Sequence, residues 1–132
     1  TVMGGNYQTW EPPNGAEKFW YGKYRIEAIL QLKKLIEVTM KEENFQKIKQ
    51  PLFLGYYYKN ENEQDKTVSV KRMLEMYTQI STADNLKYKV AFPEAKNHSI
   101  GSRFFNPNYK KIQNEIFEFT ESVLNIKPTI NE

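Results

Sequence analysis

No cysteine occurs in the 132 residues. Disulfides, thiol nucleophiles and cysteine-ligated metals are therefore excluded. Histidine is nearly absent too, with His98 the only one. One imidazole with loose carboxylates such as Glu94 falls short of the usual metal-ligand sets, so no metal is expected. No glycine-rich phosphate loop is present, and no cofactor is expected. No apolar run approaches the roughly 18–20 residues that span a membrane, and no secretory leader is visible. Lys and Arg number 19 against 16 acidic residues, a formal charge of +3. The lysines are mixed with glutamates rather than gathered in a block, which argues against nucleic acid as a partner. Localisation stays open, with the cytoplasm slightly preferred.

The chain is rich in aromatic residues, at 14%, including nine Tyr and eight Phe. With 39% hydrophobic residues, it can fill the core of about one domain, and disorder is not expected. Residues 1–22 carry turn signals at Gly4-Gly5 and Pro12-Pro13-Asn14-Gly15, with Tyr7, Trp10, Phe19, Trp20 and Tyr21 around them. Nothing periodic emerges there, so an irregular segment that packs on another surface is expected. Residues 23–41 read as a helix, because Ile26, Ile29, Leu30, Leu32, Leu35, Ile36 and Met40 recur mostly at three- and four-residue steps. A helix continues or restarts over 42–48, and Pro51 then imposes an extended backbone before it.

Residues 52–58 form a nearly continuous apolar and aromatic run, as in a strand covered on both faces. A polar loop, 59–65, follows. Next comes a helix with Thr67 or Ser69 as its cap and Val70, Met73, Leu74, Tyr77 and Ile80 on its buried side. Residues 86–92 alternate like a strand, and 93–103 form a loop holding His98. Asn106-Pro107 offers a capping Asn and a first-turn Pro for a closing helix. Strands alternating with helices imply an α/β fold with a parallel sheet. Two strands do not make a stable sheet alone. Neighbouring strands are therefore expected from preceding sequence or from another copy of the chain.

In a parallel sheet, the loops that follow the carboxyl ends of the strands open on one edge. Asp65 and His98 occupy two such loops. A carboxylate there can accept the imidazole Nδ1–H and leave Nε2 free to take a proton from a hydroxyl. Glu61, Glu63 and Asp84 compete for the acid role; Asp65 is preferred because it directly precedes the next helix. Ser99 and Ser102 lie close to His98 in the chain, but neighbouring side chains of one loop seldom point together. Tyr56-Tyr57-Tyr58 could stack bases, although a strand core fits it better.

The segment Ile48-Lys49-Gln50-Pro51-Leu52-Phe53-Leu54-Gly55-Tyr56 resembles the I-x-x-P approach to a late strand of the α/β-hydrolase family. Gln64-Asp65-Lys66-Thr67-Val68-Ser69 is similar to that family's D-x-x-V acid segment, and Glu94-Ala95-Lys96-Asn97-His98-Ser99-Ile100 to its G-x-x-H loop. Acid and histidine stand 33 positions apart, and a closing helix at about 107–125 completes a resemblance over about residues 45–125. Two features depart from the pattern. Ala95 or Lys96 replaces the turn glycine. The G-x-S-x-G nucleophile elbow is absent, since none of the five serines lies between two glycines.

The resemblance implies an α/β fold, the carboxyl-terminal part of a three-layer sandwich with parallel strands. Residues 1–44 would be the end of a cap or lid and its returning helix, 45–126 the carboxyl-terminal part of the core, and 127–132 a tail. It implies catalytic roles for His98 and Asp65, with the serine and oxyanion donors in a missing amino-terminal half. The implied activity is that of a serine hydrolase acting on a small-molecule ester or related acyl substrate, inactive as this chain alone. The aromatic cluster around Trp10 and Trp20 would pack on the missing half or line the substrate pocket. A non-catalytic, self-associating α/β interaction domain is the alternative. Either way, exposed sheet edges and helix faces lead to homo-oligomers of the isolated chain.

Overall fold

The computed structural model describes residues 6–127 and 129; the turn expected at Gly4-Gly5 and most of the expected tail 127–132 lie outside the described residues. Two short sheets organise the described residues. Tyr7–Thr9 (β1) pairs antiparallel with Lys23–Arg25 (β2), and Leu52–Tyr56 (β3) pairs in parallel with Lys87–Ala91 (β4). Four helices accompany them: Ile26–Thr39 (α1), Glu42–Phe45 (α2), Val70–Gln79 (α3) and Tyr109–Leu124 (α4). The result is a small mixed α/β domain with short strands and a parallel sheet.

The parallel pair runs in register from Leu52 opposite Lys87 to Tyr56 opposite Ala91. One further bond, Phe92 N–H to Tyr56 O at 2.8 Å, carries the ladder past its end. The core lies at that end, where Tyr57, Phe92, Ala95 and Ile112 are buried together and Phe53, Val90 and Ile100 pack against them. Gly55 sits at the centre of this packing. A Cβ there would lie 3.1 Å from both the Ile100 and Phe92 side chains and 3.2 Å from Phe53. The missing side chain lets the loop after β4 close onto the strand.

Several expectations from sequence are met in detail, and others shift. Ser69 is the cap of α3, its hydroxyl accepting the Arg72 N–H at 3.3 Å. Val70 and Ile80, expected on the buried side, are buried. The second strand begins at Lys87 rather than 86, after a 3-10 turn at Asp84–Leu86. The first helix begins at Ile26 rather than 23, because Lys23–Arg25 is drawn into the ladder with Tyr7–Thr9. Residues 1–22 were expected to be wholly irregular; the strand at Tyr7–Thr9 corrects that. No residue of α1 is buried, and Leu30, Leu32, Leu35, Ile36 and Val38 are all about half exposed or more.

The closing helix starts at Tyr109, two residues beyond the expected Pro107. Asn106 does not cap it directly. Instead Asn106 is fully buried, its amide donating to Ile100 O at 2.6 Å and its carbonyl accepting the Asn108 N–H at 2.9 Å. It therefore bolts the histidine loop to the start of α4. Asn106→Ala removes both bonds and strands the Ile100 carbonyl. Urea unfolding should show a loss of roughly 1–3 kcal/mol, while Asn108→Ala, on an exposed side chain, should cost far less.

Candidate functional site

Asp65 and His98 meet. His98 Nδ1 lies 2.6 Å from Asp65 Oδ2, across 33 positions of sequence. Their loops emerge from the same end of β3 and β4, so the contact follows from parallel pairing in register.

The acid loop is a compact self-bonded turn. Lys59 N–H donates to Glu63 O at 2.9 Å, Asn60 Oδ1 accepts the amides of Asn62 and Glu63 at 3.0 Å each, and Tyr58 bridges to Gln64. Asp65 N–H then returns to Tyr57 O at 3.0 Å. This network explains the run of charge in the loop, since its polar groups satisfy one another. The competing acids are engaged elsewhere. Glu61 accepts from the Tyr58 hydroxyl, Glu63 pairs with Lys59, and Asp84 pairs with Lys87.

Both oxygens of Asp65 are engaged. Oδ1 accepts the amides of Thr67 at 2.8 Å and Val68 at 3.0 Å, leaving Oδ2 for the imidazole. The Asp65 side chain is 3% exposed, whereas that of His98 is 46% exposed. Burial by itself would raise the Asp65 pKa. The hydrogen bond to His98 and the Val68 and Thr67 amides together outweigh it and hold the carboxyl below its ordinary 3.8. With the carboxylate ionised and facing Nδ1, the favoured imidazole tautomer carries its proton there. Nε2 then presents a lone pair, and among the described residues it has no hydrogen-bond partner.

The histidine loop is held by short bonds of its own. Ala95 is buried, with its N–H on Phe92 O at 3.2 Å. Lys96 takes a left-handed backbone, with φ of 53°. Lysine adopts that region at a steric cost that glycine would avoid. Asn97 Oδ1 accepts the Ser99 N–H at 2.8 Å, and the Ile100 N–H returns to His98 O at 2.9 Å. Tyr57, Gln64, Asp65, Lys96, Asn97 and His98 border an open, mostly polar depression.

Ser99 and Ser102 do not hydrogen-bond to His98. The Ser102 hydroxyl accepts from the Phe104 amide, and Ser69 and Ser122 spend theirs on helix backbone. No group of three or more His, Cys, Asp or Glu side chains that could hold a metal exists among the described residues. No described helix is long and apolar enough to cross a membrane.

The aromatic cluster turns out to have a partner within the chain. Trp10, Phe19 and Trp20 pack on Phe104 and Phe105, a few residues after His98. The expected packing of these rings on a missing half or a substrate pocket did not include this partner. The signal was a second aromatic pair at 104–105, just after the loop that carries His98.

No protein-family model, curated protein or solved structure matches this chain.

Because the Asp65 carboxyl is held below its ordinary pKa, the folded chain binds fewer protons there than the unfolded chain. Its contribution to stability is present above about pH 3.8 and disappears as pH falls through the folded value. Asp65→Asn should lower stability near neutral pH and flatten the acid side of a stability–pH curve. Urea midpoints from about pH 6 to about pH 2 would show this.

Proposed function

We propose that Asp65 and His98 are the acid and base of a serine hydrolase of the α/β-hydrolase kind, acting on an ester or related acyl substrate. The observation that carries this is the 2.6 Å bond from Nδ1 to a buried carboxylate, with Nε2 left open toward solvent. That arrangement suits a relay in which Nε2 removes the proton of a serine hydroxyl as its oxygen attacks the acyl carbon. The imidazolium, stabilised by Asp65, then returns the proton to the departing alkoxide. A water molecule repeats the sequence to release the acid.

The nucleophile and the oxyanion donors would come from sequence beyond residues 1–132. The order of the motifs supports this, as do the engaged hydroxyls of Ser69, Ser102 and Ser122. Additional strands beside β3 and β4 would complete a three-layer sandwich and cover α1. A second reading, a self-associating α/β interaction domain, draws on the exposed leucines and isoleucines of α1.

Residues 1–132 alone should show no p-nitrophenyl acetate turnover, whereas the product of the whole reading frame should hydrolyse it. In that protein His98→Ala should lower kcat/KM by about a thousandfold or more, and Asp65→Ala by about a hundredfold or more. Turnover that survives His98→Ala, or a reading frame with no further serine nucleophile, would leave the interaction domain standing instead.

A further inference from the structure

The imidazole of His98 is half exposed, and among the described residues its one hydrogen bond is to Asp65. Its aim therefore depends on the backbone of the loop that carries it. Downstream of His98, that loop has two anchors. One is polar: Asn106 holds Ile100 O, and Ile100 packs toward Gly55 and Phe92. The other is aromatic. The Phe105 ring meets Trp20 edge-on at 5.3 Å and Trp10 at 6.4 Å, while Phe104 meets Phe19 at 5.5 Å. Neither Phe104 nor Phe105 belongs to the core cluster around Phe92 and Ile112.

The segment that grips them is itself braced. Trp10 donates its backbone N–H to Gly22 O and its indole N–H to Tyr21 O, both at 2.9 Å. Ala16 is fully buried and accepts the amides of Phe19 and Trp20. Gly15 turns with φ of +86°, and a Cβ there would stand 3.4 Å from the Phe104 ring. A Cβ on Gly22 would come within 2.9 Å of Trp10 O. The close approach of the two arms of the segment thus requires glycine.

We propose that residues 7–25 form a clasp whose rings, on Trp10, Phe19 and Trp20, grip Phe104–Phe105 and so hold His98 against Asp65. Trp20 and Phe105 are positioning residues that act through their ring contacts and the backbone of 98–105. The catalytic meaning of the clasp rests on the hydrolase reading above, but its effect on the pair does not. Offset and edge-to-face ring pairs at such separations stabilise beyond the area they bury. Loosening the clasp should free the loop without unmaking the parallel sheet, whose core residues lie elsewhere.

His98 is the only histidine, so its ring signals in NMR of the 132-residue chain are unambiguous. In the unmodified chain a low-field Nδ1–H resonance and a single ring tautomer are expected, and Asp65→Asn should abolish both. Trp20→Ala should broaden or remove the Nδ1–H signal and mix the tautomers. It should also speed exchange of the Ile100 amide about tenfold or more, with core amides of β3 still protected. Phe105→Leu keeps apolar bulk while removing two ring contacts, and Gly22→Ala separates the arms without removing a ring; both should act in the same direction even if Trp20→Ala fails to fold. Trp20→Phe should restore the signal. Folded Phe105→Leu and Gly22→Ala chains that keep the resonance and the single tautomer would overturn the clasp. If the signal responds as expected but the whole protein hydrolyses no ester, the clasp stands and the hydrolase reading falls.

Discussion

The parallel pairing of Leu52–Tyr56 with Lys87–Ala91 is the constraint on which the candidate site depends. Strands that run the same way, and finish level with each other, release their following loops at one edge. An antiparallel pair would send the acid loop and the histidine loop to opposite ends. A slip of one residue would displace the loops by about 3.3 Å and turn every side chain to the other face. Either change would break a contact of 2.6 Å. Gly55 adds to the constraint from within the strand, since its bare backbone lets Ile100 and Phe92 settle close to it. Strand pairing sets the edge, and this packing sets how tightly the histidine loop lies against it.

The two partners live in different surroundings, and the difference defines what each can do. Asp65 is buried with its oxygens divided between two backbone amides and one imidazole nitrogen. It stays ionised because these donors replace the water it has lost. Such a group orients and stabilises, but it is poorly placed to exchange protons with solvent. His98 is half exposed and, among the described residues, bonded on one ring nitrogen only. It has a fixed face toward the acid and an open face away from it. The loops supply this asymmetry through self-contained turns: the Asn60 turn before Asp65, and the left-handed Lys96 with the Asn97 turn around His98.

The legible parts of the fold were those with long or strongly patterned signals. The apolar runs at 52–58 and 86–92, the amphipathic face beginning at Val70 and the Ser69 cap all correspond to observed elements within a few residues. The short strands at Tyr7–Thr9 and Lys23–Arg25 were not legible. Three exposed residues carry no alternation that could announce a strand, and only their ladder makes them one. The expected helix span included Lys23–Arg25, and pairing of those residues with Tyr7–Thr9 moves the start of α1 to Ile26. The apolar stripe of α1 was read correctly as a helix, yet nothing in its spacing tells what covers it.

Local chemistry along the chain determined which residues were able to form the pair: one imidazole exists, and Asp65 stands at the end of a strand–loop unit just ahead of a helix. It also determined the helices and the central strands, because their hydrophobic periods are properties of consecutive residues. The three-dimensional structure alone decided among the four acids, since that choice rests on which carboxylate reaches the His98 ring. It alone joined Trp10, Phe19 and Trp20 to Phe104 and Phe105, across more than eighty positions of chain. Contacts between distant residues depend on how whole elements are oriented, and no pattern of neighbours encodes that orientation.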